Sequence, residues 1–523
     1  MKFELFELER NQSLFENEVD YNLSESGVHP LKMSEILTDD EQKELLNKNL
    51  YYGYTNGTPE LRQRVADMYG DTFSIENVLI TSGSAEANFL SIMTQLESGD
   101  EIIYMVPNYL QIYHLARSFG IIVKSLPLHQ ELGWQWDLDE LKSMVTPKTK
   151  MIVVCNPNNP TGALMNPEVM DGVIEVARET GCWVLSDEVY RGAELDGVEC
   201  RSFAGATDKT IVNAGLSKAY SLPGLRLGWS VGSEAYINRA WSFHDFTVIN
   251  VAYLSDWVAS KILEYGRRRK ILDRTKDHLN HNLNMLCDWA EHVPALTITR
   301  PKAAAITFAK LNIPMSSEEF VFNLRDNFSV LLTAGKWHGM EGFVRFGYGT
   351  PEEYVTNEEL VDAYNGWVNA YNKAHAAEIE TGELEEKPLS SAEFIVKASG
   401  IKQRYTYCKD GILDIERMRP SIPERAPDEL SHQAEMALHA AREAMRASGK
   451  MAAEIDMVVV SCAYTQRAYP AIAIEVQAAL GIEGFGFDML VACSAATFAL
   501  HRAYDAIVAG SAGCVLVINP ELT

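Results

Sequence analysis

Basic residues are scarce in this chain. Its 523 residues include 46 Lys and Arg against 72 Asp and Glu, a formal charge of −26. So acidic a molecule repels phosphate backbones, which argues against nucleic acid as a partner. Long apolar runs are missing too, and none reaches the roughly 18 residues that a membrane span needs. The first stretch, MKFELFELERNQSLFENEVD, is acidic and has no apolar core of the kind that marks a secretion signal. Eight cysteines are scattered without any CxxC or CxxH spacing, so no metal site is expected. Several lie in apolar, strand-like runs, which fits free thiols in a reducing, cytoplasmic setting. No short internal repeat is evident.

What the chain has in quantity is alternation. VLITSG (78–83) precedes the helix-like SAEANFLSIMTQL, and EIIYMVP (101–107) precedes YLQIYHLARSFG. IIVKSLPL and MIVVCNP (151–157) follow, then a helix predicted from Pro167 to Thr180, then WVLSDEVY (183–190) and TIVNAGL (210–216). Short apolar strands spaced by amphipathic helices predict a mostly parallel sheet covered on both faces. Residues 235–292 read as long helix, ALTITRPKAAAITFAKL (295–311) as strand, and FVRFGYG (343–349) as another strand, together a smaller α/β lobe. HAAEIETGELEEKPLSS (375–391) is acidic and aperiodic, a linker or exposed arm. A second α/β pattern then begins, with strands in MVVVSCAY (457–464), FDMLVAC (487–493) and CVLVINP (514–520).

Chemistry concentrates in NAGLSKAYSLPGLRLGW (213–229). Lys218 sits among small and apolar residues, with Arg226 eight positions on. Cations usually lie on wet surfaces. A buried lysine has a depressed pKa because burial penalises its charged form, and a neutral amine can attack an aldehyde. NPNNPTG (156–162) follows one strand and SDEVY (186–190) ends another. Ligands of open α/β sheets bind at the carboxyl edges of strands, so Asn159, Asp187 and the Lys218 loop are expected to converge on one crevice.

NPNNPTG, SDEVY, SKAYSLPGLRLGW and FVRFGYG, in this order, resemble the class I/II aminotransferases, pyridoxal-phosphate enzymes of fold type I, over residues 20–356. The resemblance implies a large domain with a mostly parallel seven-stranded sheet and a small α/β domain. It implies Lys218 as the Schiff-base lysine and proton shuttle, and Asp187 as the carboxylate that holds the proton on the cofactor ring nitrogen. Asn159 and Tyr190 match the residues that hydrogen-bond the ring hydroxylate. Ser84 and Ala85, where TSGSAEA opens a helix, match the phosphate loop, with Ser217 and Arg226 as further phosphate ligands. The family often has a serine at the position of Gly215, so one phosphate contact is missing here. Tyr109 matches the ring that stacks on the pyridine. Tyr52 matches a tyrosine that reaches the phosphate of a neighbouring subunit, which implies a homodimer with shared sites. Arg345 matches the arginine that pairs the substrate α-carboxylate, with Asn159 beside it, and Gly27 in YNLSESGVHP is a candidate to line the site. No second arginine for a dicarboxylate side chain is identified.

The implied organisation is an N-terminal segment (1–44) joining the small domain, a cofactor-binding large domain (45–240), a small domain (241–356), a junction (357–395) and a C-terminal half-domain (396–523). EFIVKASGIKQRY, GILDIERMRP and FDMLVACSAATFAL resemble the N-terminal half of a β-ketoacyl-acyl carrier protein synthase III, of the thiolase fold. Cys493 matches that family's acylated nucleophile, at a helix N-terminus that would lower its pKa. The family's His and Asn partners come from its other half, beyond Thr523, so the tail is expected to be catalytically silent. It reads as a fused remnant or as half of a domain completed by another chain, with an acyl carrier protein as the partner that resemblance implies.

The expected function is transfer of an amino group between an L-amino acid and a 2-oxo acid. Elimination, replacement or cyclisation at Cβ or Cγ on the same fold, a condensing acyl transferase using Cys493, and a binding protein that holds the cofactor without turnover are the alternatives these motifs leave open.

Overall fold

The computed structural model describes residues 3–19, 21–350, 354–401, 403–406, 411–419, 422, 424–426 and 429–521. Two units divide the chain, residues 1–351 and 352–523.

The first unit opens with helix α1 (Glu7–Phe15). Strand β1 (Val78–Thr81) then feeds α2 (Ser84–Gln95), and β2 (Glu101–Val106), β3 (Ile122–Pro127) and β4 (Thr149–Cys155) follow. Helix α3 (Pro167–Thr180) separates them from β5 (Trp183–Asp187), β6 (Thr210–Gly215) and β7 (Gly228–Val231). The sheet order is β1-β7-β6-β5-β4-β2-β3. Strand β7 is antiparallel to both neighbours and every other pair is parallel. Two antiparallel steps restore direction, so β1 runs the same way as β6. Strands β2 and β6 are buried at every position. That is why apolar residues fill both faces of these strands, with Asn213 as a buried exception in β6: helices cover both faces. Ile103, Val154 and Val212 join the core on one face, while Ile102, Val153 and Leu185 join the other with Leu90 and Tyr236.

Helix α3 keeps its expected limits because its ends are chemically marked. Pro167 occupies the first turn, and Gly181 stops the helix in the left-handed region at φ 67°. The long helix expected at 235–292 is three helices, α4 (Glu234–His244), α5 (Tyr253–Ile262) and α6 (Tyr265–Ala290). The first break holds the β-branched residues Thr247, Val248, Ile249 and Val251, which crowd a helical turn. No sequence signal marks the second.

The small lobe is a four-stranded antiparallel sheet of β8 (Leu296–Ile298), β9 (Ile306–Leu311), β10 (Thr333–Ala334) and β11 (Phe343–Gly347), in the order β10-β11-β9-β8. The run expected as one strand at 295–311 is two, because Pro301 has no N–H to donate and Ala304 turns at φ 68°. Leu8 of α1 is 1% exposed and packs with Trp337, Val344 and Phe346 of this lobe. Tyr21–Asn22 pairs in parallel with Val330–Leu331. The N-terminal segment thus hangs on the small lobe.

In the second unit Tyr354–Thr356 pairs with Gln403–Tyr405. Helix α7 (Asn357–Ala374) holds the returning chain through side-chain amides: Asn372 Nδ2 donates to the Lys387 carbonyl at 2.9 Å and Asn365 Nδ2 to the Ser390 carbonyl at 3.0 Å. Between them lies a short helix, Ala376–Glu380, and an exposed stretch. Helix α8 (His432–Ser448), β12 (Met457–Cys462), α9 (Ile472–Leu480), β13 (Phe485–Leu490), α10 (Ala495–Val508) and β14 (Val515–Ile518) form a parallel three-stranded sheet, order β13-β12-β14, with its helices. Among the described residues no helix is long and apolar enough to cross a membrane, and no cluster of His, Cys, Asp and Glu could hold a metal ion.

Candidate active site

Five strand ends meet in the first unit. Ser84 follows β1, Tyr109 follows β2, Asn159 follows β4, Asp187 ends β5 and Lys218 follows β6. All five strands run the same way, so their carboxyl ends open on one crevice. With Arg345 of β11 and residues of α1 they line a cavity of about 390 Å³.

One end of the cavity is built for an anion. Gly83 caps α2 at φ 78° without a side chain, leaving the first N–H groups of the helix uncovered by any side-chain cap. A Cβ at Gly83 would lie 2.8 Å from Arg226 Nη2, so a side chain there would push the guanidinium from its place. Arg226 ends the 3-10 turn Pro223–Leu225, and its Nη1 donates to the Pro223 carbonyl at 3.2 Å and to Ser217 Oγ at 3.4 Å. At Gly215 a Cβ would sit 3.0 Å from the Leu227 carbonyl. This crowding is a physical reason for the absent serine.

Asp187 stands at the floor, and a chain of buried amides and hydroxyls fixes its surroundings. Ser230 Oγ donates to Asn213 Oδ1 at 2.6 Å, Asn213 Nδ2 donates to Asn88 Oδ1 at 2.9 Å, and Asn88 Nδ2 donates to Asp187 Oδ2 at 3.1 Å. Each donor sets the orientation of the next amide, so Asn88 can only present N–H to the carboxylate. Burial raises the Asp187 carboxyl, while Asn88 and the Val189 N–H pull it back. No cation pairs with it among the described residues.

Lys218 departs from expectation. Burial does work against its ammonium, but its pKa is raised, because Glu25 and Tyr190 more than offset burial. Its Nζ lies 2.9 Å from Glu25 Oε1, and Lys218 in turn holds Glu25 down at about 2. The expected neutral amine is therefore a charged one here, and it is Glu25 that makes the difference.

Arg345 is 1% exposed. Its Nη1 donates to Asn159 Oδ1 at 3.0 Å and its Nη2 to the Ser24 carbonyl at 2.5 Å, while its Nε has no hydrogen-bond partner. Tyr190 is buried at 2% exposure; burial raises its phenol, and Lys218 and Arg345 pull it down. Tyr109 donates its OH to Glu9 Oε1 at 2.7 Å and meets Phe6 edge-on. A Cβ at Gly27 would lie 3.6 Å from Lys218 Cδ, so Gly27 borders the site.

The cavity gathers Lys218, Asp187, Tyr190, Asn159, Tyr109, Ser84, Ala85, Ser217, Arg226 and Arg345. It does not gather Tyr52, which is 78% exposed in a separate shallow cleft with Leu50, Val251 and Tyr253. Cys493 falls in the 3-10 turn Ala492–Ser494 that leads into α10, and its side chain lies outside the described residues. Sequence reading missed Glu25, Asn88, Glu9 and Gln12. Glu25 stands two residues from Gly27 and could have been found there; α1 offered no motif at all.

The family described as aminotransferase class I and II matches residues 21–415. The chain belongs to this family. Class I and II aminotransferases depend on pyridoxal phosphate. The match runs past residue 356, into the second unit. A solved pyridoxal-phosphate-dependent aminotransferase from Streptococcus suis is 32% identical with a TM-score of 0.64, covering 68% of this chain and 95% of that one. The aspartate aminotransferase of Pyrococcus horikoshii is 29% identical over 336 residues, 62% of this chain and 85% of the relative. The rest of the aminotransferase-family chain has a different likeness. A β-ketodecanoyl-[acyl-carrier-protein] synthase of Pseudomonas aeruginosa is 54% identical over 162 residues, 31% of this chain and only 46% of that synthase. The residues present fit the aminotransferase cofactor. The cavity offers a side-chain-free helix N-terminus beside Arg226 and Ser217, an amine at Lys218, and a carboxylate at Asp187 that lacks a cation.

Proposed function

We propose that the chain moves an amino group between an L-amino acid and a 2-oxo acid, with Lys218 as its reactive amine. The observation that carries this reading is the shared cavity of Lys218, Asp187 and Arg345, each from a different strand connection. Bound pyridoxal phosphate supplies an aldehyde and a ring that accepts the electron pair left at the substrate Cα. Ser217, Arg226 and the N–H groups of Ser84 and Ala85 would hold its phosphate. Asp187 would hold the proton on its ring nitrogen, a cation for a carboxylate that has none among the described residues. Asn159 and Tyr190 would donate to its ring oxygen, and Tyr109 would lie against the ring. Arg345 receives the substrate α-carboxylate, using the Nε that has no protein partner. Lys218 Nζ takes the Cα proton and returns it.

Tyr52, exposed and apart from this cavity, is proposed to reach the site of a second copy of the chain. The tail is proposed to be silent in condensation. Incubation of the purified protein with pyridoxal phosphate should give a yellow species that borohydride fixes at position 218, and amino acids should convert it to a pyridoxamine form that a 2-oxo acid reverses. Reduction at another lysine, or product release without the pyridoxamine form, would sink the reading.

A further inference from the structure

The wall opposite the strand ends is one face of α1 and the turn after it. Glu9, Gln12, Ser13 and Glu16 all line the cavity, and their spacing of three, four and seven residues places them on one helical face. Seven residues of helical rise make this stripe about 10 Å long. Its inner end touches the site already described. Glu9 accepts from Tyr109, and Gln12 Nε2 donates to the same Ser24 carbonyl that receives Arg345. Its outer end is exposed at Glu16.

A count of charges around the cavity gives the stripe its meaning. Among the described residues the lining holds three cations, Lys218, Arg226 and Arg345. The proposed function uses each of them, for the amine, the phosphate and the α-carboxylate. A substrate with a second carboxylate would need a fourth, and the lining offers none. Glu9 and Glu16 have no ion-pair partner among the described residues. Independently of the acids, the cavity asks for a ligand at Arg345: the residue is part of the lining, and its Nε is buried and unpartnered. A carboxylate held there sets one end of the substrate, and the acidic stripe is the polar wall that remains.

We propose that Glu9 and Glu16 select an amino acid whose side chain ends in a cation, an ammonium or a guanidinium, and reject dicarboxylates. This rests on the aminotransferase reading, because Arg345 must take the α-carboxylate for the side chain to face α1. Removing one partner of such a charge pair is expected to cost about tenfold in binding.

The test uses the cofactor-loaded protein. Lysine, ornithine and arginine are compared with their neutral counterparts norleucine and norvaline, and with aspartate and glutamate. Conversion to the pyridoxamine form gives kcat/KM. Absorbance titration with α-methyl analogues, which have no Cα proton to lose, gives Kd without turnover. The expected result is a preference of at least about tenfold for the cationic side chains, with the ratio of cationic to neutral falling about tenfold in Glu16→Gln or Glu9→Gln, mainly through KM. Aspartate or glutamate as the best ligand, or a ratio unmoved in both variants with thermal stability intact, overturns the proposal. If no amino acid forms the pyridoxamine species while α-methyllysine or α-methylornithine still binds best and loses that advantage in Glu16→Gln, the selectivity stands and the aminotransferase reading fails.

Discussion

Glu25 holds Lys218 as an ammonium, and that single contact separates the amine proposed to react from its free base. Imine formation needs the free base, so the carboxylate sets how alkaline the solution must be before the amine attacks. In Glu25→Gln the strongest influence raising Lys218 is gone, and only Tyr190 is left to oppose burial and Arg345. The pKa of Lys218 is then lower, and the pH midpoint for cofactor capture, followed by absorbance, should move down. A midpoint that stays in place or rises would show that Glu25 does not govern the amine. The residues of this site that sequence alone revealed share one property: each sits inside a motif, most of them at or just past a strand end. Glu9 lies outside those motifs, and Glu25, though two residues from Gly27, shows its part only through its tertiary contact with Lys218. The rule that burial lowers a lysine pKa failed for the same reason, since the partner that reverses it is 193 residues away in sequence.

At the scale of elements, the amide chain behind Asp187 ties four of them together. Asn88 belongs to α2, Asn213 to β6, Ser230 to β7, and Tyr236 of α4 bonds Ser230 at 2.8 Å. Asn213→Asp removes the donor that Asn88 needs and adds an acceptor in its place. Asn88 would turn its carbonyl toward Asp187, which repels it. Loss of one buried hydrogen bond with its partner left unsatisfied costs about 1–3 kcal/mol. The variant should melt at lower temperature and release its cofactor more readily, both readable by absorbance on heating and by dialysis; a variant that keeps both would show that the chain of donors is idle. The strands themselves and the two ends of α3 were legible from period and from Pro167 and Gly181. The break near Ile249 was legible only in its β-branched run, and the one near Leu263 was not legible at all, because neither residue of that break opposes a helix.

For the whole molecule, the prominent feature is the pairing of an aminotransferase unit with a segment that spans 46% of a ketoacyl synthase relative. Between Glu380 and Lys387 the chain is exposed, with its flanks held by Asn365 and Asn372. A glutamate-specific protease should therefore cut first after Glu383, Glu385 or Glu386, and mass spectrometry of early digests will read the site. First cleavage within the seven-stranded sheet would contradict this order of exposure. The acidic arm was plain from composition; that α7 stands before it as an eighteen-residue helix was not separable from the junction text. Arg345 meets Asn159 across 186 residues and Ser24 across 321. One guanidinium is thus the knot that gathers three distant stretches. A chain shorn of its first two dozen residues leaves Arg345 Nη2 without its acceptor and unties one strand of that knot.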